Sequence, residues 1–340
     1  MRIALDAMGG DNAPKVEVAG AVRALKELKD VIIILVGDSN RIKKLLDDDK
    51  DAKKVRDRIE IEDAKETVSM SEAPAQAYKT KPESSIAIAA KTVKEGRAEA
   101  LISAGNTGAV VVFSLLGVGR IPGVLRPAIL TTMPSEEGVT AVIDSGANVD
   151  CKPVHLAQFA VMGNMYSKYI LGVENPRVGL ISVGAEEEKG NELTVATGSL
   201  IKKLNLNFIG NAEGHDVTNG NADVIVCDGF VGNVILKTAE GIAHLLFSMI
   251  KKSVKKSFLL AKIGAFLIKG IFRSVIKSSD PNEHGGAPLL GIKKPVIICH
   301  GRSNEKGIMN AIKVAEKFIK RHINDEIEAA VKNMEDGKNE

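Results

Sequence analysis

Gly184-Ala185-Glu186-Glu187-Glu188-Lys189-Gly190-Asn191-Glu192 sets three acids, one lysine and one amide directly after an apolar strand pattern. A lysine in such a loop neutralises an anion, while neighbouring acids hold it or an amide in place. A solvated charge cluster is the competing reading. Asp144-Ser145-Gly146-Ala147-Asn148-Val149-Asp150-Cys151 offers carboxylate, amide and carboxylate, without the spacing of a calcium loop and without a nearby histidine. Asp150 is placed to cap a helix beginning near Pro153. Cys151 has no sequence-adjacent base, so an inert thiol is favoured over a nucleophile. Asp228-Gly229-Phe230-Val231-Gly232-Asn233 ends another apolar run, with Asp228 at a strand tip and Asn233 as the natural cap of a long helix that carries Lys237. Gly105, Asn106, Thr107 and Gly108 form a fourth turn, in which Asn106 or Thr107 caps and spare N–H groups face a phosphate oxygen. A plain capped turn competes there, and no Gly-Lys-Ser/Thr follows to make a nucleotide loop. His284 with Gly285, and His300 with Gly301, are the histidines with site-like neighbours; the other four read as structural or exposed.

The elements that must position these residues alternate. Short β-branched runs at Ile3–Asp6, Val31–Val36, Ala100–Ser103, Ala128–Thr132, Ala141–Asp144, Val178–Val183, Asn207–Ile209, Asp223–Cys227 and Val296–Cys299 predict strands. Helical periodicity fills Pro14–Leu28, Ser84–Glu95, Thr107–Val118, Val154–Tyr169, Asn191–Lys203, Asn233–Lys256 and Glu305–Ile319. This predicts an α/β fold, three-layered and doubly wound, with a mostly parallel sheet and helices on both faces. Six strands end in Gly-, Asn- or Asp-rich turns, and parallel sheets bind ligands at the carboxyl ends of their strands. The six are expected on one sheet edge, lining a crevice suited to anions. Residues 1–340 read as a single catalytic domain, 248–278 as a helical hairpin insertion and 329–340 as a polar tail.

Composition excludes several classes. Aromatic residues are 4% of the chain and Trp is absent, which disfavours a stacking platform for single-stranded nucleic acid. The three cysteines are scattered without a CxxC spacing, against a disulfide framework or zinc site and in keeping with a reducing cytoplasm. There is no export signal, and no uninterrupted apolar run of spanning length. The formal charge is +3, yet between Glu240 and Asp280 eight Lys/Arg and no acid occur, so the rest of the chain is net acidic. Within that stretch Lys255, Lys256, Phe258, Leu259, Phe266, Leu267, Ile271 and Arg273 combine cationic and apolar character. The combination suits a membrane surface, an acidic carrier protein or a dimer contact.

Together the blocks IALDAMGGDNAP, ISAGNTGA, GANVDCKP, EEEKGNEL, ADVIVCDGFVGNVILKTAEG and HGGAPLLG resemble the PlsX-type phosphate acyltransferases, in order from Met1 to about Lys320. The chain departs from the usual pattern at Ser145 and at Ser182-Val183-Gly184. The resemblance implies transfer of a fatty acyl group from acyl carrier protein to inorganic phosphate, without a cofactor or metal. It implies a fold similar to isocitrate and isopropylmalate dehydrogenases, a homodimer, and acyl phosphate handed to a membrane glycerol-3-phosphate acyltransferase. The cysteine usage and the basic apolar segment add the expectation of a cytoplasmic protein held peripherally at the membrane. Phosphate is already a nucleophilic anion at neutral pH, so direct attack on the thioester suffices. Asn106, Thr107, Asn148, Lys189, Asn191 and Asn233 are then expected around phosphate and carbonyl, with Asp150, Gly190 and Asp228 beside them. A related enzyme using acyl-CoA, a silent membrane scaffold and a dehydrogenase are the alternatives; the last lacks the GxGxxG fingerprint.

Overall fold

The computed structural model describes residues 1–256, 270 and 281–336. Its strands are β1 (Arg2–Asp6), β2 (Ile32–Gly37), β3 (Ile59–Asp63), β4 (Ala100–Ser103), β5 (Ala128–Ser135), β6 (Gly138–Ile143), β7 (Val178–Ile181), β8 (Phe208–Ala212), β9 (Val224–Val226), β10 (Ala287–Leu290) and β11 (Val296–Ile298). Helices are α1 (Lys15–Glu27), α2 (Ser39–Asp48), α3 (Pro74–Thr80), α4 (Ser85–Lys94), α5 (Thr107–Phe113), α6 (Pro153–Tyr166), α7 (Glu192–Ile201), α8 (Asp216–Asn219), α9 (Gly229–Lys256), α10 (Pro281–His284), α11 (Glu305–Lys320) and α12 (Ile323–Asp336).

One eleven-stranded sheet runs β3-β2-β1-β4-β11-β10-β5-β6-β9-β7-β8. Each face has its own core because side chains alternate along each strand. Ile3, Leu5, Ile33 and Ile102 pack under α1 and α11, whereas Ala4, Ile34 and Leu101 pack under α4 and α5. In the other half Ile143, Val178, Leu180 and Val226 meet α6 and α12, while Val142 and Ile225 meet the start of α9. The mostly parallel three-layer expectation holds.

The strand directions divide the sheet. β1, β2, β3, β4 and β11 are mutually parallel. β10 is antiparallel to β11 and to β5, and β5 is antiparallel to β6. Consequently β6, β9, β7 and β8 point opposite to β1, β4 and β11. The six ligand-suited turns therefore do not share one edge. Those after β1, β4 and β11 lie on a first rim, and those after β6, β7 and β9 lie on a second. The hairpin β5–β6 and the short β10 reverse the direction, and a reading based on uniform strand–helix alternation misses both reversals.

Two further expectations change. The segment from residue 329, expected as a polar tail, continues α12 to Asp336, because Val331 and Met334 are buried under that half of the sheet. No uninterrupted apolar run of spanning length occurs, yet Gly229–Lys255 of α9 is long and apolar enough, by length and composition only, to cross a membrane, and little of its apolar stretch is buried. Phe258, Leu259, Phe266, Leu267, Ile271 and Arg273 fall outside the described residues. So does most of the segment 248–278, expected as a hairpin; α9 carries its first residues, including exposed Lys255 and the backbone of Lys256.

Candidate active site

On the second rim the strands β6, β9 and β7 are consecutive, so their ends stand about 5 Å apart per strand. Asp144 is the hub. Its buried carboxylate accepts from the N–H groups of Ile129, Gly146, Ala147 and Asn148 at 2.7–3.1 Å, and from Asn148 Nδ2 at 2.8 Å. Burial pushes its pKa up, and the donors pull against that shift. Asn148 Nδ2 also donates to the Pro127 carbonyl, and its own carbonyl accepts from Gly229 N at 2.7 Å. Asn148 thus locks the loop to β5 and to the start of α9, and its amide hydrogens are already committed. A Cβ on Gly229 would stand 2.8 Å from Asn148 backbone atoms, which explains the glycine there.

Asp228, not Asn233, caps α9: its Oδ1 accepts from Val231 N at 2.9 Å. The helix begins four residues earlier than expected because Gly229 takes helical backbone against the Asn148 loop. Asn233 therefore sits in the second turn with an exposed side chain, its Oδ1 3.9 Å from where a Gly146 Cβ would be. Asp150 does not cap α6 either. It is exposed, and buried His155 closes that helix end by accepting from Lys152 N at 3.1 Å. Burial, then Arg126 and Lys152, lower the His155 pKa, consistent with a neutral acceptor. The Cys151 thiol is pushed up to about 12 by burial and by Asp144 and Asp228, which argues against a thiolate nucleophile.

The loop after β7 is clamped through its backbone. Asn211 Nδ2 donates to the carbonyls of Glu186 (2.6 Å) and Lys189 (3.2 Å), and Ser182 Oγ donates to the Lys189 carbonyl at 3.0 Å. Gly190 has φ +121°, and a Cβ there would come within 2.1 Å of Thr194 Oγ1. Asn191 caps α7 by accepting from Thr194 N at 2.9 Å. The expected grip of the acids on Lys189 is not seen: Glu187 pairs with Lys202 instead. Lys189 is exposed, and among the described residues no hydrogen bond or ion pair engages its ammonium. The second rim thus gathers Lys189, Gly190, Asn191, Asn148, Asp150, Asp228 and Asn233, with the N-termini of α7 and α9 beside them.

The first rim holds the remaining candidates. Asn106 caps α5 by accepting from Ala109 N, while its Nδ2 donates to the carbonyls of Ser69, Met70 and Glu72. That amide is a clamp on the 69–72 loop, which leaves it no donor for phosphate. Gly105 packs on Gly9, and Gly108 lies where a Cβ would strike Pro74; Thr107 is exposed. Gly285, φ +74°, lies against the Asn310 backbone at the end of α10, which places His284 on this rim too. Below lie buried Asp6, receiving Ser103 Oγ at 2.7 Å, and buried Glu17, whose Oε2 has no partner among the described residues. Burial lifts Glu17 to about 7. Sequence reasoning missed Glu17, whose only signal is an acid among the apolar positions of α1. It also missed Arg126, whose signal is a cation just ahead of a strand that starts at the second rim.

The family model described as "Fatty acid synthesis protein" matches residues 1–326. A phosphate acyltransferase of Desulfitobacterium hafniense is 51% identical over 328 residues, 96% of each chain. Among solved structures, a phosphotransacetylase from Streptococcus pyogenes superposes with TM-score 0.61 at 20% identity, over 94% of both chains. A 4-hydroxythreonine-4-phosphate dehydrogenase from Klebsiella pneumoniae gives 0.50 at 12% identity, over 95% of this chain and 98% of that one. These two likenesses concern the fold alone. With half its residues shared with a curated relative along nearly the whole length, and the quoted blocks set in the turns just described, the chain belongs to the PlsX-type phosphate acyltransferase family.

Proposed function

We propose that the second rim forms acyl phosphate by direct attack of inorganic phosphate on a fatty acyl thioester carried by acyl carrier protein. The observation that carries this reading is the Lys189 ammonium: exposed, unpaired among the described residues and presented by a loop whose backbone is held at three hydrogen bonds. Phosphate binds against Lys189 and the α7 N-terminus, where unpaired N–H groups favour an anion. One phosphate oxygen attacks the thioester carbon; the carbonyl oxygen gains charge, and Asn191 Nδ2, Asn233 and Lys189 are the groups to stabilise it. Collapse of the tetrahedral species expels the carrier's thiolate, leaving a carboxylic–phosphoric anhydride. Asp228 and Asn148 hold the donors in place, while Asp150 and Gly190 shape the mouth. No covalent enzyme intermediate is required, in keeping with the raised pKa of Cys151.

The same reading places the chain in fatty acid and phospholipid synthesis, as a cytoplasmic homodimer of isocitrate-dehydrogenase-like fold at the membrane surface. Its product passes to a membrane glycerol-3-phosphate acyltransferase. The apolar exposed face of α9, with Ile242, Leu245, Leu246 and Met249 each more than half exposed, supports a peripheral contact extending into the 248–278 hairpin. Incubating pure protein with acyl carrier protein thioester and phosphate, then trapping acyl phosphate with hydroxylamine, tests the reaction. Hydroxamate that depends on both substrates is expected; release of free fatty acid alone would refute it.

A further inference from the structure

Where the loops of the second rim continue past β6, the surface becomes basic. Arg120 follows the α5 segment, Arg126 precedes β5, Lys152 precedes α6, and Lys293 and Lys294 precede β11. All five are exposed, and among the described residues none forms an ion pair. The strand directions place all of them on the rim that carries Lys189. The loops bearing them are braced together. Ile121 N donates to Gly291 O, Lys293 N donates to Gly119 O, and Gln158 of α6 joins Leu125 N to Gly123 O. Leu125 stands 42% exposed among these cations.

We infer that this patch docks the acidic carrier protein that delivers the thioester, an inference that rests on the proposed reaction. Three features favour that occupant. The charges span β11 to β6, roughly 15 Å at strand spacing, too broad for one phosphate group. They are fixed on braced loops, as recognition of a folded acidic surface requires. They adjoin the rim at which the thioester has to arrive, so a partner seated there presents its prosthetic arm sideways to Lys189 and Asn233. This assigns carrier docking to the 119–126, 152 and 293–294 loops, not to the basic segment after Glu240.

The test compares two donors bearing the same acyl chain, the carrier-protein thioester and the uncharged N-acetylcysteamine thioester, with phosphate saturating. Lys293→Glu/Lys294→Glu should lower kcat/KM for the carrier thioester about tenfold, through KM, and flatten its salt dependence. The small donor should be unaffected. Arg120→Glu, on the neighbouring loop, should act the same way. Equal loss with both donors, or no loss with either, overturns the assignment. So does a carrier-specific loss found only in Lys251→Glu/Lys252→Glu, or loss of binding to anionic vesicles in place of the donor effect. If the unaltered protein makes acyl phosphate from neither donor, the reaction itself is wrong and the docking surface falls with it.

Discussion

A lysine in a charged loop acquires meaning from what does not hold it. Glu186, Glu187 and Glu188 surround Lys189 in sequence, but the loop is pinned through carbonyl oxygens by Asn211 and Ser182, leaving the ammonium to a ligand. Lys189→Ala should lower turnover about a hundredfold or more with an unchanged melting temperature, since a lost donor to developing charge typically costs that much. Steady-state rates beside thermal denaturation check this. Cys151→Ser should retain near-normal acyl phosphate formation, and a collapse in its rate would restore the acyl-enzyme route. Glu17 yields a prediction for stability. Its folded pKa, about 7, lies above the 4.5 of a freely solvated glutamate, so the folded state holds the extra proton between them. Its contribution is therefore fully present below about 4.5 and is lost as pH rises towards 7, by roughly 3 kcal/mol. Glu17→Gln should remove that part of the pH dependence and raise the melting temperature at pH 8.

At the scale of elements, nine strand positions and seven helix positions are readable from apolar runs and periodicity, and all correspond to observed elements. β3 escapes because Ile59-Glu60-Ile61-Glu62-Asp63 is a half-exposed edge strand with charges on alternate positions. β10 escapes because Ala287-Pro288-Leu289-Leu290 is four residues long and contains a proline. Caps were the least legible feature. Asp150 and Asn233 are good capping types, but tertiary bonds gave the role to the His155 ring at one helix and to Asp228 at the other. Composition names residues able to cap, and only packing decides where the first turn starts. The Asn106 amide, with four bonds at one loop junction, should be structural: Asn106→Ala is expected to cost about 1–3 kcal/mol in denaturant unfolding while leaving KM for phosphate unchanged.

At the scale of the molecule, the type of sheet was legible and its polarity was not. Turn composition identifies strand ends, but it carries no information about which way neighbouring strands point; that is set by the β5–β6 hairpin and the four-residue β10. Hence candidates that looked like one crevice separate into Lys189, Asn191 and Asn233 on one side and Asn106 and Thr107 on the other. The same topology bears on how the chain is made. β11 fills the place beside β4, and Ile308, Ala311, Ile312 and Ala315 of α11 complete the core beneath α1, where a Cβ on Gly20 would strike Ile308. β1 and β4 therefore wait for a segment translated much later than they are. Until residue 320 has emerged, β4 presents a bare edge and α1 an uncovered apolar flank, the state in which a nascent chain most needs a chaperone.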